Sequence, residues 1–164
     1  MKIRGPCVKH LSNTIGPYFF PERLSGKIYA HFLEDELPEL LEDLPLITRQ
    51  EMIFQQDGAP PHFSRRARKV LDRNFADRWM GRGGPISWPV RSPDMNVLDY
   101  FVWGYIKAQI ENVRERTREE VRDAIIAAFG TITPNMAQNA TQQIVRRADL
   151  CLQAQGRHFE QLLG

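Results

Sequence analysis

The sequence predicts an α/β fold in which helices cover a small sheet. Three observations carry that expectation. Short apolar runs and stretches of helical spacing follow one another in the order strand, helix, strand, helix, strand, helix, helix, helix. Glycine and proline cluster between these segments and punctuate them. Hydrophobic residues make up 42% of 164 positions, enough to bury a core in one domain and too little chain for two comfortable ones.

The elements follow in order. Residues 15–20 read as a short strand, with Gly16 and Pro17 favouring an edge or a bulge. Ser25 can cap a helix whose apolar residues fall at 28, 29, 32, 33, 37, 40 and 41, and Pro38 should kink it or start a second one. Acids such as Glu34, Asp35, Glu39 and Glu42 belong on its solvated faces. Residues 52–54 read as a buried strand running into Asp57, stopped by Gly58, Pro60 and Pro61. Ser64 can cap a helix over 65–74. Residues 78–80 suggest a third strand, and the glycines and prolines from Gly81 to Pro93 a loop. Asn96 can cap a helix from 97 to about 112. Thr117 and Glu120 form a capping box that opens a helix ending at Gly130. Thr133 and Pro134 open the last long helix, which Gly156 should break.

Composition narrows the function. Net charge is +2, which alone identifies no partner. Cys7 and Cys151 cannot build a disulfide framework or a cysteine-rich zinc site. The longest apolar runs, such as 125–129, fall far short of a bilayer span, and no apolar signal core follows Met1. A soluble protein of a reducing compartment is expected, with no membrane partner. The Gly-Arg-Gly-Gly stretch lacks the Gly-Lys-Ser/Thr ending of a P-loop, so no nucleotide or other small-molecule cofactor is expected.

Two carboxylates stand out. Asp57 ends an expected strand and Asp99 sits in the first turn of an expected helix, with forty-one residues between them. Hard cations such as Mg²⁺ take oxygen ligands and keep several waters, so few protein groups are needed. Two such ions, about 4 Å apart, can activate a hydroxyl and stabilise the leaving oxygen of a phosphodiester. Spacing alone leaves other readings open. Asp57 before Gly58 is a favoured turn pair, and Asp99 is an acid at a helix start.

The local sequences are more specific. Phe54-Gln-Gln-Asp-Gly-Ala-Pro-Pro-His62-Phe63 resembles the block around the second catalytic aspartate of mariner-type DDE transposases. Ser92-Pro-Asp-Met-Asn-Val-Leu-Asp99-Tyr-Phe-Val-Trp-Gly104 resembles the block around their third catalytic acid. Trp88-Pro89 between them, Ile15-Gly-Pro-Tyr-Phe-Phe20 before them and the closing Gly156-Arg-His-Phe-Glu-Gln segment are also similar to the family, so the resemblance covers residues 15–164.

The resemblance implies a ribonuclease-H-like fold with a helical C-terminal part. The sheet would be small, mixed and incomplete, lacking its first strands. It implies DNA as partner, Mg²⁺ or Mn²⁺ as cofactor, phosphodiester cleavage and strand transfer as chemistry, and a nuclear location. Asp57 matches the second acid and Asp99 the third, both as metal ligands. Asp94 matches a loop or capping position, and His62 the motif's histidine, read as a structural contact at the next helix start. The departure lies upstream. Residues 1–14 contain no Asp or Glu and form a non-matching segment, so the first catalytic acid has no counterpart. The expected picture is a catalytic domain truncated at its N-terminus, with a weakened metal site, impaired or absent catalysis, and an open sheet edge that invites homodimerisation.

Charge is uneven along the chain. Residues 65–91 carry eight basic and two acidic side chains. Arg65, Arg66, Arg68, Lys69, Arg82 and Arg91 are the candidate contacts to a DNA backbone, although 65–73 can equally be a solvated helix face. Trp79 and Trp103 are expected in the core, and Trp88 is the better candidate for exposure. Two alternatives stand beside the impaired transposase. One is a non-enzymatic DNA-binding or interaction protein derived from a transposon. The other is an active nuclease whose first acid lies at an unrecognised position.

Overall fold

The structure is a computed structural model that describes residues 8–10, 13–88, 93–111 and 117–163. The chain divides into two compact units, one of Met1–Val8 with Tyr18–Arg91 and one of Lys9–Pro17 with Ser92–Gly164.

In the first unit, Ser25 accepts a hydrogen bond from the Ile28 amide at 3.3 Å and starts helix α1 (Gly26–His31). The chain continues through a π-helical turn (Phe32–Glu36) into α2 (Leu37–Leu40). Pro38 has no amide hydrogen to return to the preceding turn, which is why one regular helix does not run through. Helix α3 (Leu46–Glu51) follows and escapes the sequence reading, because Leu46 and Ile47 lie exposed and show no buried stripe.

Strand β3 (Phe54–Gln55), helix α4 (Arg65–Asn74), strand β4 (Trp79–Gly81) and strand β5 (Ile86–Ser87) complete this unit. The sheet order is β3-β4-β5. Both pairings are parallel, with Phe54 opposite Trp79 and Met80 opposite Ile86, so the sheet is uniform rather than mixed. Strand β5 lies inside the segment expected to be loop. Its two residues are too few to show alternation. The short 82–85 connection depends on glycine, since a Cβ on Gly84 would stand 2.7 Å from the Trp79 ring. Tyr29, Phe32, Leu33, Leu37, Leu71 and Trp79 are the fully buried centre, each worth roughly 1.5–3 kcal/mol of burial.

The expected strand over 15–20 is corrected. Strand β2 (Asn13–Ile15) pairs with β1 (Val8–His10) and stops there. Gly16 takes a φ of +118°, outside extended geometry, and Pro17 offers no donor to a ladder. Tyr18 and Phe20 lie beyond the strand and pack their rings on Phe32 at 4.7 and 5.2 Å.

The second unit is helical. A 3₁₀ turn (Pro93–Met95) leads into a π-helical stretch (Leu98–Val102) and then α5 (Trp103–Gln109). Helix α6 (Arg118–Gly130) starts at Thr117 with both halves of its capping box present. Helix α7 (Pro134–Gln153) starts at Thr133 with proline in its first turn. It ends just before Gly156, whose φ of +74° and amide bond to the Cys151 carbonyl close the helix. Val102, Ile106, Ile125, Ala137 and Phe159 form the core. No helix among the described residues is long and apolar enough to cross a membrane.

Candidate functional site

Asp57 is placed by β3. The Gln56 amide still bonds the Met80 carbonyl, so the backbone stays tied to β4 for one residue beyond the strand and then turns. Asp57 Oδ1 accepts the Ala59 amide at 2.9 Å, which makes Asp57 a turn residue as its pairing with Gly58 suggests. The same oxygen meets His62 Nδ1 at 2.5 Å. The His62 ring packs against the ring of Tyr29, with centroids 4.2 Å apart.

Behind this contact lies a closed polar circuit. The Tyr29 hydroxyl donates to Gln56 Oε1 at 3.0 Å, and Gln56 Nε2 donates to the His62 carbonyl at 3.1 Å. Gln56 is 5% exposed, and among the described residues it is the one buried side chain that is not hydrophobic. Burial, and secondarily the negative charge of Asp57, push the Tyr29 phenol far upward, so it remains a neutral donor. Gly81 leaves room for Gln56: a Cβ there would sit 2.8 Å from Gln56 Cγ.

The turn ends on a ring that gathers charge. Arg68 and Arg82 place their guanidinium carbons 4.6 and 4.3 Å from the Phe63 centroid. Arg82 also lies over Gly58, its Cδ 3.8 Å from where a Cβ would stand. Arg65, Arg66 and Lys69 are exposed on α4. Two other residues leave the expected basic surface. Arg73 pairs with Glu34 at 2.7 Å, and Arg78 donates to the Met52 carbonyl at 2.9 Å. Arg91 lies outside the described residues. Trp79 is buried with its Nε1 donating to Asp72, Trp103 is buried, and Trp88 is half-buried.

Asp99 belongs to the second unit. Asn96 Oδ1 accepts the Leu98 amide at 3.2 Å, and its Nδ2 donates to Asp99 Oδ2 at 2.9 Å. The next residue anchors the stretch, because the Tyr100 hydroxyl donates to the Ala140 carbonyl at 2.6 Å. Burial pushes that phenol up to about 12, against the opposing pull of Arg147, whose guanidinium lies 4.0 Å from the Tyr100 ring centroid. Arg147 donates to the Asp94 carbonyl at 2.8 Å, which assigns Asp94 a backbone anchoring role.

The first unit therefore gathers Asp57, His62, Arg68 and Arg82 around one turn, and Asp99 belongs to the second unit's π-helical stretch. The sequence reading missed Tyr29, Gln56 and Phe63. A polar residue at a buried strand end was the available signal for Gln56. The carboxylates suit a hard divalent cation in donor chemistry. No group of three or more His, Cys, Asp or Glu side chains that could hold a metal lies together among the described residues.

No protein-family model and no curated protein matches the sequence. Solved structures do match. The Mos1 transposase catalytic domain with raltegravir and Mn is 21% identical, with a TM-score of 0.79 over 94% of this chain and 76% of that one. The catalytic domain of Mos1 mariner transposase is 20% identical, with a TM-score of 0.76 over 94% and 74%. A pre-cleavage Mos1 transpososome is 19% identical, with a TM-score of 0.78 over 92% of this chain and 43% of that one. The chain thus has the ribonuclease-H-like fold of a mariner transposase catalytic domain and spans about three quarters of that domain.

Proposed function

We propose that this chain, on the frame it shares with the Mos1 mariner catalytic domain, is a transposon-derived DNA-binding protein descended from a metal-dependent transposase. The observation that supports it most is Asp57. It stands two residues beyond β3, an edge strand among the described residues, and is held on one oxygen by Ala59 and His62. It also stands within a sequence block that resembles the family's second catalytic aspartate.

In this reading Asp57 and Asp99 are the metal ligands, for Mg²⁺ or Mn²⁺. A bound ion of this kind supplies Lewis acidity to a phosphodiester and lowers the pKa of an attacking hydroxyl. The chain's own residues do the positioning. His62 fixes the Asp57 carboxylate, the buried Tyr29–Gln56 pair fixes His62, and Asn96 holds Asp99. Arg65, Arg66, Arg68, Lys69, Arg82 and Arg91 bind the DNA backbone. Two acids make a weaker site than three, and residues 1–14 offer no third. Strand transfer by the 164-residue chain is therefore absent or much reduced. A homodimer through the outer edge of β3, which carries no strand among the described residues, and a nuclear location complete the proposal.

The test is nicking of supercoiled plasmid by the 164-residue chain in Mg²⁺ and in Mn²⁺. Nicking at or near the level of the Asp57→Ala and Asp99→Ala variants is expected. Strong nicking that either substitution abolishes would establish an intact nuclease instead. Salt-dependent DNA binding that survives Asp57→Ala supports the non-enzymatic alternative.

A further inference from the structure

We infer that Phe63, Arg68 and Arg82 form a clamp for a backbone phosphate of DNA beside Asp57. This rests on the DNA-binding reading above and adds to it a specific contact and an organising residue. Two guanidinium groups approach one ring at 4.6 and 4.3 Å. Neither has a carboxylate partner among the described residues, whereas Arg73 and Arg147 are paired with Glu34 and Glu160. Arg68 Nε is shielded from solvent and has no acceptor there. Both guanidinium groups bring positive charge to one ring, and an anion reaching both would neutralise it. Guanidinium groups suit phosphate oxygens in fork geometry.

Location selects the anion. Phe63 directly follows His62, which touches Asp57, and Arg82 covers Gly58, the residue after Asp57. A phosphate seated between the two arginines would lie within the turn that presents the carboxylate. Arg65, Arg66 and Lys69 continue the positive charge along α4, as an extended polyanion requires and a single free anion does not. The ring itself carries no charge. Its function is to fix two flexible side chains before the strand arrives, which lowers the ordering cost of binding.

Fluorescence anisotropy of a short labelled duplex across a salt series tests this. Arg68→Ala and Arg82→Ala should each weaken binding about fivefold to tenfold and lower the log–log salt slope by roughly 1. Phe63→Leu keeps both charges, so affinity should drop about threefold with the slope unchanged, and Phe63→Tyr should restore it. Arg73→Ala should change neither quantity. Thermal unfolding confirms that each variant is folded. If Phe63→Leu does not fold, the two arginine variants still decide. Unchanged binding in both arginine variants overturns the clamp and leaves DNA binding standing. No salt-dependent binding by the parent chain overturns both. Displacement of the duplex by low-millimolar inorganic phosphate at fixed ionic strength would mark a free-anion site and overturn the clamp.

Discussion

The surroundings of Asp57 and of Asp99 are built on opposite plans. Asp57 rests on a turn whose far side is a buried circuit of Tyr29, Gln56 and the His62 carbonyl. Asp99 rests on the exposed first turn of a helical stretch, held by the side chain of Asn96. The first carboxylate is oriented by groups the core cannot release without losing stability. The second is oriented by a cap that can be removed at modest cost. Orientation and global stability are therefore coupled at one acid and separable at the other.

The largest test of that contrast is Gln56→Leu. It strands the Tyr29 hydroxyl and the His62 carbonyl without partners, so a loss of about 2–5 kcal/mol is expected in urea unfolding. A loss below about 1 kcal/mol would mean that water replaces the amide and that the circuit is not tight. Gly81→Ala presses on the same glutamine from the sheet side, with its new methyl 2.8 Å from Gln56 Cγ. It should cost about 1–3 kcal/mol by the same measurement. Asn96→Ala, the counterpart in the second unit, should cost only about 1 kcal/mol. Equal losses for Gln56→Leu and Asn96→Ala would erase the distinction.

A further effect is a pH dependence shared by both regions. Tyr29 and Tyr100 each hold their phenol proton above the ordinary pKa of about 10. As pH rises past 10 the unfolded chain loses these protons first. Stability is therefore complete below about pH 10 and falls as pH climbs toward 12. The charge of Asp57 adds to the shift at Tyr29, whereas Arg147 opposes it at Tyr100. Tyr29→Phe and Tyr100→Phe should each flatten the alkaline decline, as read from unfolding midpoints between pH 9 and 11.

Most of the frame is legible in the residues because its signals are local. Ser25, Ser64, Thr117 and Thr133 start helices where their side chains predict, since a cap needs only the next three residues. The misses have different causes: α3 buries no stripe, β5 is two residues long, and the 15–20 strand is cut off at Gly16 and Pro17. At the site the cause is distance along the chain. Asp57 and Asp99 are visible as motif residues, but the contact of His62 with Asp57 depends on Tyr29, thirty-three residues earlier in the chain. Of the eight basic residues between 65 and 91, sequence cannot separate Arg73, paired with Glu34, from Arg68 and Arg82, gathered on Phe63.

Ser64 serves two helices at once. Its hydroxyl accepts the Ala67 amide to begin α4 and lies 3.5 Å from the Gly26 carbonyl at the head of α1, where a Cβ on Gly26 would collide with it. The arginine-bearing helix is thereby pinned at its origin and has no freedom to slide along its neighbour. A single methyl group at position 26 would act as a wedge, prying that origin loose and carrying the charged face out of register with the turn that presents Asp57.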